Sequence, residues 1–521
     1  MGALLKMLMK LGVKKFYEPL EKALEAPYEA QEKLLLKIVK NNKDTLFGKK
    51  YRLGEVTSIK SYQERVPVLS YSDYKPLVKK IIQGNNNILT PSKTVHLAQT
   101  SGTTGTPKIL PLSADSVKEF SRMSGRIFAS YINERSENRR VLDGKFLLFM
   151  APAVDYYLGK LPVGYISGIN AVNQNIIFQK MVIPPLSILN EKDWNLKFYK
   201  TAQIAIKSDV TLAGGVTPLL LSLFQKIMDD QENPLTHDYL NWRGNDDTLK
   251  KGLSKIWPHF RVLLHSGVNV KPYLNWMNEL FDEQVDFRDC YGATEGVFAF
   301  QIGESEGMVL NIDTYFYEFV TEDDLRSESP RRYLVDELKK GKRYSILVTT
   351  SNGLYTYLIS DIVEVVDTEP LTIKIVGRIG NEISLAGEKV TEKNVSDAIY
   401  DTVLSGNLQI KDFSIVPLYH NKLRYRFLIE FKKPPKDPLK FLKELDEALS
   451  CHNEIYRQCR EMGLIDNPEL AILPPGTYQK YKQEQATKGR PIGQIKIPHI
   501  TSNDLVEGSL NLKECLDLLS Y

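Results

Sequence analysis

The sequence has few cysteines. There are four among its 521 residues, and they form neither a CxxC pair nor a spacing typical of metal ligands. The seven histidines also show no obvious pattern. Scattered thiols in a chain of this length are typical of a reducing compartment, so we expect a cytoplasmic protein.

Long hydrophobic runs are also missing. No segment approaches the roughly 18 uninterrupted apolar residues that a membrane-spanning helix needs. At the amino end, Lys6 and Lys10 interrupt the apolar run and no small-residue cleavage site follows, which disfavours a signal peptide. We predict an amphipathic first helix and no stable membrane insertion, with weak contact with a membrane surface as the alternative.

Neither sign of charge dominates. The 68 Lys and Arg residues against 64 Asp and Glu residues leave a formal charge of +4, and no basic block is long enough to bind nucleic acid electrostatically. Hydrophobic residues make up 42% of the chain and charged residues 25%, which is ordinary for a globular protein. We therefore expect a soluble globular monomer that does not bind nucleic acid.

Short apolar runs alternate with stretches of helical periodicity in the first half of the chain. The runs at Phe146–Met150, Val210–Leu212 and Arg261–Leu264 are typical of strands, and the last two precede predicted helices at Pro218–Met228 and Val270–Phe281. This alternation predicts a mostly parallel sheet with helices on its faces.

The pattern becomes more purely β from about residue 309 to 376, and polar residues and glycines interrupt the strands at 378–392. Beyond this point, strands at Asp412–Pro417 and Leu423–Phe431 and helices over Asp437–Met462 predict a small α+β domain. We therefore predict an α/β protein with an N-terminal domain at 1–384, a hinge at 385–392 and a C-terminal α+β domain at 393–521.

The most informative stretch has the sequence TSGTTGTPK at residues 100–108. Small residues let backbone N–H groups turn inward, hydroxyls donate hydrogen bonds and a lysine adds positive charge, a composition that predicts a phosphate-binding loop. It is not a Walker A loop, because Pro107 rather than a glycine precedes Lys108. A flexible surface turn is the alternative. The residues that we expect to contact the nucleotide here are Thr100, Ser101, Gly102, Thr103, Thr104 and Lys108.

The flanks of this loop predict how it is held. Val95–Ala98 is a short apolar run typical of a strand, and Ala114–Asn133 has helical periodicity with Ser113 as its N-cap. A strand, a glycine-rich turn and a helix in succession would aim backbone amides at an anion.

A second cluster has the sequence YGATEG at residues 291–296. The Tyr291 ring can stack on a base, Gly292 allows the backbone to approach closely, and the Glu295 carboxylate is a candidate Mg²⁺ ligand. Thr294 belongs to the same candidate nucleotide site. A tight turn with an exposed glutamate is the alternative.

Three further residues complete the candidate site. Asp361 precedes the predicted strand Ile362–Val366, where a carboxylate can accept both hydroxyls of a ribose; a turn aspartate is the alternative. Lys389 lies in the predicted hinge, and Lys496 lies between two isoleucines near the C-terminus. A solvated side chain is the ordinary alternative for both lysines, and an edge strand with an outward charge would also explain Lys496.

In this order and spacing, these motifs resemble the signature of adenylate-forming enzymes. Within that superfamily the chain is similar to the acyl-acid amido synthetases, the plant auxin- and jasmonate-conjugating enzymes and their bacterial relatives. Segments that carry the finer resemblance are NNKDTLFGKKY (41–51), YQERVPVLSYSDYKPLVKKIIQG (62–84), GYISG (164–168), PPGTYQKY (474–481) and GRPIGQIKIPHI (489–500). Two positions depart from the family pattern: Ser360 replaces a usual glycine, and His499 stands where an arginine commonly follows Lys-x-Pro.

The resemblance implies a large adenylate-forming domain with mixed sheets and flanking helices, followed by a small mobile α+β domain. It also implies two steps: a carboxylate attacks the α-phosphorus of ATP to give an acyl-adenylate and pyrophosphate, and an amine, expected to be that of an amino acid, then displaces AMP. ATP and Mg²⁺ are the implied cofactors. Lys108, Glu295 and Lys496 are the implied catalytic residues, with Glu295 on the metal. An acid–CoA ligase shares every adenylation motif, and a catalytically inactive nucleotide-binding relative is a further alternative.

The binding wall for the acid is defined only by composition. Tyr156–Tyr165 and Gly214–Leu221 mix aromatic, glycine and apolar residues, which suits an aromatic or acyl carboxylate without choosing between them. His265 follows a predicted buried strand and is either a lining residue of the site or a structural histidine with satisfied hydrogen bonds.

Overall fold

The structure is a computed structural model that describes the chain in several stretches. These are residues 16–100, 108–191, 194–216, 252–266, 285–327, 329–379, 390–418, 423–462, 464–487, 495–501 and 517–520, with a few single positions between them. The described stretches contain the α-helices α1 Pro27–Asn42, α2 Leu46–Lys50, α3 Ile59–Arg65, α4 Tyr71–Ile82, α5 Ala114–Glu134, α6 Ile166–Val172, α7 Ile176–Met181, α8 Leu186–Leu189, α9 Trp194–Ile206, α10 Gly252–Ile256, α11 Glu392–Ser405, α12 Pro438–His452, α13 Glu454–Glu461 and α14 Thr477–Thr487.

The same stretches contain strands that form four sheets. They are β1 Thr94–Gln99, β2 Ile109–Ser113, β3 Lys145–Leu148, β4 Tyr156–Leu158, β5 Leu161–Gly164, β6 Val182–Ile183, β7 Val210–Val216, β8 Val262–Ser266, β9 Asp286–Ala293, β10 Gly296–Gln301, β11 Met308–Leu310, β12 Phe316–Val320, β13 Arg343–Thr349, β14 Tyr357–Thr368, β15 Leu371–Arg378, β16 Glu382–Ile383, β17 Val390–Thr391, β18 Ile410–Leu418, β19 Arg424–Phe431, β20 Glu469–Ile472 and β21 Asp517–Ser520.

The largest sheet has eleven strands in the order β12-β13-β14-β15-β11-β10-β9-β8-β7-β3-β6. Neighbouring strands are parallel from β6 to β9 and antiparallel from β9 to β12. The predicted parallel arrangement is therefore confirmed for one part of the sheet, whereas the sheet as a whole is mixed.

The parallel strands are apolar on both faces because helices cover both faces. Phe146 of β3 and Leu212 of β7 pack in a core cluster with residues of α5 and α7. The next residues along these strands, Leu147 and Ala213, pack in another cluster with residues of α9 and α10. Alternation of side chains along each strand produces this two-sided core.

A four-stranded sheet in the order β2-β1-β5-β4 carries the glycine-rich loop. β1 and β2 are antiparallel neighbours, so the loop connects a hairpin, and α5 begins only after β2. The predicted strand–turn–helix arrangement is therefore wrong in one respect: a second strand, β2, lies between the turn and the helix. Ile109–Leu112 is an apolar run that pairs with β1, and the helix begins after Ser113, whose hydroxyl accepts a hydrogen bond from Ser116 N as the predicted N-cap.

The C-terminal α+β part has the predicted elements. β18 and β19 match the two predicted strands, and α12 and α13 match the predicted helical stretch. Asn453 separates these helices and caps the second one through its side chain. Helices α11 and α12 pack with this sheet around one apolar core.

Some predictions fall on residues that are not described. The predicted helices at Pro218–Met228 and Val270–Phe281 and the amphipathic residues 1–15 lie largely or wholly outside the described residues. Within the described stretches, no helix combines the length and the apolar character that crossing a bilayer requires.

Candidate functional site

The base of the glycine-rich loop is fixed by two hydrogen bonds. Thr100 N donates to Lys108 O at 3.0 Å, and Lys108 N donates to Thr100 Oγ1, also at 3.0 Å. Thr100 therefore uses its backbone and its side chain to hold the two ends of the loop together. The predicted phosphate contacts that lie outside the described residues are Ser101, Gly102, Thr103 and Thr104.

Lys108 lies beside two tyrosine rings. Its Nζ is 5.9 Å from the ring centroids of both Tyr71, on α4, and Tyr357, the first residue of β14, and it donates to the Tyr357 hydroxyl at 3.4 Å. The Tyr71 hydroxyl also accepts a hydrogen bond from Ile109 N at 2.8 Å, which joins β2 to α4. The faces of aromatic rings attract cations, so these contacts hold the charge of Lys108 at the base of the loop.

Glu295 lies with Thr294 in the two-residue turn between β9 and β10. Burial raises the pKa of the Glu295 carboxyl; Lys108 and a hydrogen bond with Tyr357 lower it, Asp361 raises it, and the net direction is upward. The side chain is partly buried rather than exposed. Glu295 is therefore in a tight turn, as the alternative interpretation predicted, but it is not exposed. Its carboxylate interacts electrostatically with Lys108 and Asp361.

Asp361 accepts a hydrogen bond from the tyrosine of the second motif, YGATEG. The Tyr291 hydroxyl donates to Asp361 Oδ2 at 2.6 Å. The Tyr291 ring is buried and packs edge-on against Phe298, with ring centroids 5.3 Å apart. This packing fixes the tyrosine, and the tyrosine in turn orients the carboxylate. Gly292, the next residue of β9, is exposed.

Ser360 gives the backbone next to Asp361 an unusual conformation. Its φ is +70°, in the left-handed region that glycine adopts readily. It lies in a β-bulge, because β14 has extra residues relative to β13 between Leu358 and Ile362. Serine thus takes a type of backbone conformation that suits glycine better, and the bulge changes the direction in which the neighbouring carboxylate points.

Sequence reasoning missed three tyrosines of the site: Tyr71, Tyr74 and Tyr357. Tyr74 donates to Tyr355 O at 3.0 Å and accepts from Tyr355 N at 2.7 Å, which fixes the chain just before β14. Tyr71 and Tyr74 are three residues apart and so share a face of α4. Their only signal in the sequence is their place in the family-like segment 62–84. A narrow crevice here is lined by Tyr74, Leu89, Leu110, Pro111, Thr294, Glu295, Asn352 and Leu354.

Of the two predicted site lysines in the C-terminal part of the chain, the structure describes only Lys496. Lys389 lies outside the described residues. Lys496 lies on an extended segment, residues 495–501, that pairs with β18. Ile495 and Ile497 are buried on either side of it, whereas Lys496 is partly exposed, as the alternation of an extended chain requires.

The predicted wall for the acid begins next to the loop. Tyr156–Tyr165 forms the β4–β5 hairpin beside β1, and the Tyr156 hydroxyl donates to Gln99 Oε1 at 3.3 Å. Gln99 directly precedes Thr100. The predicted wall at Gly214–Leu221 is described only in part.

His265 lies at the end of β8, and burial lowers its pKa to about 4, so the ring is neutral at pH 7. Its Nδ1 is 3.5 Å from Asp289 Oδ1. Among the described residues this nitrogen finds no hydrogen-bond partner, so the expectation of a satisfied structural histidine is not met for Nδ1.

Three models of one family match the chain. They are the GH3 family N-terminal domain over residues 16–247, the GH3 family central domain over 308–378 and the GH3 family C-terminal domain over 393–504. Together they cover most of the sequence.

Similar proteins span nearly the whole chain. The indole-3-acetic acid-amido synthetase GH3.3 of Arabidopsis thaliana is 21% identical over 545 residues, covering 91% of this chain and 89% of that protein. The jasmonoyl–L-amino acid synthetase JAR4 of Nicotiana attenuata is 23% identical over 529 residues, covering 90% of each. The solved structure of the GH3.15 acyl acid amido synthetase matches with a TM-score of 0.81 at 16% identity, covering 99% of this chain and 97% of that one. At this identity the structural match shows the fold.

Proposed function

The chain belongs to the GH3 family, and from this we propose that it is an ATP-dependent acyl-acid amido synthetase. It activates a carboxylic acid as an acyl-adenylate with release of pyrophosphate and transfers the acyl group to the amine of an amino acid. The observation that carries the proposal is the meeting of Lys108, Glu295 and Asp361, from three distant parts of the chain, at the base of the glycine-rich loop.

The first step forms the acyl-adenylate. A carboxylate oxygen of the acid attacks the α-phosphorus of ATP, the bond from that phosphorus to the bridging oxygen breaks, and pyrophosphate leaves. Negative charge develops on the phosphate oxygens, and a fixed cation stabilises it. Lys108 supplies this cation, and Ser101 and Thr103 donate hydroxyl hydrogen bonds. The contacts of Lys108 with Tyr71 and Tyr357 support its role because they fix the ammonium group.

The nucleoside part is bound by the Tyr291–Asp361 pair. A carboxylate has about four acceptor sites on two oxygens, so Asp361 can accept from the ribose hydroxyls while it accepts from Tyr291. Tyr291, Gly292 and Thr294 then border the adenine.

Glu295 is the proposed protein ligand of Mg²⁺. In the described stretches, no group of three or more His, Cys, Asp or Glu side chains could hold a metal ion. One carboxylate nevertheless fits this ion, because Mg²⁺ that enters with a nucleotide is bound by one or two carboxylates, phosphate oxygens and water. When bound, Mg²⁺ neutralises charge on the phosphate oxygens. Burial raises the pKa of Glu295, and a cation bound at its carboxylate would lower that pKa again.

The second step forms the amide. The amine attacks the acyl carbon, the bond to the AMP oxygen breaks, and the nitrogen loses a proton. A lysine beside the α-phosphate leaves little room for the amine, so the C-terminal domain moves between the steps and brings Lys496 close only for the first. We propose that Lys389 contacts AMP rather than only capping the linker. This part of the proposal rests on the place of Lys496 in the C-terminal domain.

The proposed compartment is the cytoplasm, where the protein acts as a monomer. The cysteines of the described stretches, Cys290, Cys451 and Cys459, are free thiols, which supports a reducing compartment.

One experiment tests the proposal. The protein is incubated with ATP, Mg²⁺ and a panel of acids that includes indole-3-acetic and jasmonic acid, with amino acids or with CoA, and AMP and the conjugates are measured. We expect AMP together with an amide. AMP that requires CoA would identify an acid–CoA ligase, and no AMP with any acid would identify a nucleotide-binding protein without catalysis.

A further inference from the structure

His499 is bound on both edges and on one face of its ring. Nδ1 is 2.8 Å from Glu392 Oε1, and Nε2 is 3.0 Å from Asp412 Oδ1. The ring stacks on Phe413, with centroids 4.0 Å apart and an angle of 16° between the planes. Only 4% of the residue is exposed.

These contacts require a charged ring. An ionised carboxylate only accepts hydrogen bonds, so both ring nitrogens of His499 carry a hydrogen and the ring is an imidazolium. Burial by itself lowers the pKa of His499, but the hydrogen bonds with Asp412 and Glu392 outweigh burial and raise it to about 9. The imidazolium of His499 is therefore present at neutral pH.

The two carboxylates belong to different elements. Glu392 is the first residue of α11, where the chain enters the C-terminal domain after β17, and Asp412 lies in β18. The backbone of His499 is also bound, because its carbonyl accepts from Ile415 N at 2.7 Å. Lys496 lies three residues earlier, roughly 10 Å along an extended chain.

We propose that His499 is a positioning residue for Lys496. The imidazolium joins the segment that carries Lys496 to β18 and to the first residue of α11, so the lysine keeps a fixed place relative to the point where the chain enters the domain. This inference rests on the proposed role of Lys496 in adenylation. An arginine at this position could also donate to two carboxylates, which makes it the conservative replacement for the imidazolium.

The test separates the two half-reactions in His499→Gln. We expect ATP–pyrophosphate exchange to fall about 10- to 100-fold, because a misplacement of about 1 Å in a reacting group has effects of that size. Conversion of a supplied acyl-adenylate to the amide stays near the wild-type rate. His499→Arg restores most of the exchange.

A matched control and a reference variant complete the design. His452→Gln makes the same chemical change in a histidine that pairs with Asp401 at 2.7 Å elsewhere in the domain, and it leaves both half-reactions unchanged. Lys496→Ala is the reference, and thermal melting shows that each variant is folded. Glu392→Gln serves as the test if His499→Gln does not fold, because the Glu392 side chain is 30% exposed and its replacement disturbs the interior less. We expect it to give the same loss of exchange.

The outcomes separate this inference from the proposed function. Normal exchange in Lys496→Ala would overturn the proposed role of the lysine, and the inference with it. Lost exchange in Lys496→Ala with normal exchange in folded His499→Gln, or in Glu392→Gln, would overturn the inference alone. Equal losses in both half-reactions, without rescue by arginine, would mean that His499 is only structural and would also overturn it.

Discussion

Lys108 places a positive charge at the base of the loop, and removal of this charge is expected to slow adenylation without weakening AMP binding. In Lys108→Ala, we expect pyrophosphate exchange to fall by about 100-fold or more, the usual effect of losing one group that stabilises transition-state charge. AMP affinity changes little because AMP lacks the β- and γ-phosphates. The control is Lys118→Ala, which removes a lysine that is 81% exposed on α5. Normal exchange in Lys108→Ala would contradict the assignment.

Asp361 is the proposed contact for the ribose, and Tyr291 holds it. Truncation of a carboxylate whose partners stay buried costs about 2–5 kcal/mol. At about 1.4 kcal/mol per decade, Asp361→Ala weakens ATP binding by roughly 30-fold or more. Tyr291→Phe removes only the hydroxyl that donates to Asp361 at 2.6 Å and gives a smaller loss. Calorimetric titration with ATP measures both, and an unchanged affinity in Asp361→Ala would place this residue outside the nucleotide site.

Single residues of the site differ in how far the sequence reveals them. Lys108 and Glu295 can be selected because each carries a charge inside a glycine-containing motif, and Asp361 because it directly precedes a predicted strand. The contacts of Tyr71 and Tyr357 with Lys108 could not be predicted, because they join segments whose proximity depends on the order of strands in the sheets. The type of a side chain can be taken directly from the sequence, whereas its contact partners depend on how distant segments fold together.

The bulge in β14 carries backbone strain at Ser360, whose φ is +70°. A non-glycine residue in the left-handed region costs about 1–2 kcal/mol, partly offset by the greater flexibility of glycine in the unfolded chain. Ser360→Gly is therefore expected to stabilise the protein by up to about 1 kcal/mol without changing pyrophosphate exchange. Thermal or denaturant unfolding measures this change.

Thr356 provides the contrast for this prediction. Its φ is also positive, at +42°, but its hydroxyl donates to Glu318 Oε2 at 3.0 Å in the buried interior. In Thr356→Gly the lost hydrogen bond and the buried carboxylate outweigh the relief of strain, so this variant is less stable than the wild type. A gain in stability in Thr356→Gly, or a loss in Ser360→Gly, would contradict this account of the strained positions.

Helices and strands with a strong periodic pattern can be predicted from the sequence, whereas short apolar strands cannot. The periodicity and the serine cap locate α5, and the alternating runs locate β18 and β19. β2 is missed because Ile109–Leu112 is too short for its pattern to distinguish a strand from the approach to a helix. Only its pairing with β1 makes it a strand.

The sequence predicts two domains with a hinge between them, and the packing of the residues around 385–392 bears on where that hinge would lie. Within the predicted hinge at 385–392, Leu385 and Ala386 pack against the core of the C-terminal domain. The Glu388 carboxylate accepts from both of their backbone N–H groups at 2.7 Å and from the Tyr425 hydroxyl of β19. A rotation of the domain would therefore carry these residues with it, and we expect the chain to bend before β16.

The proposed movement of the C-terminal domain predicts unequal effects on the two half-reactions. Lys496 has a long stem and a compact charge, so the proposed change in the position of its segment would move that charge toward or away from the α-phosphate. In Lys496→Ala, we expect acyl-adenylate formation to fall strongly, while a supplied acyl-adenylate is still converted to the amide. Lys440→Ala, at an exposed lysine of α12 in the same domain, leaves both rates unchanged. Pyrophosphate exchange and amide formation from the adenylate are measured separately, and an equal loss in both would mean that Lys496 supports the fold or that the domain stays in one position.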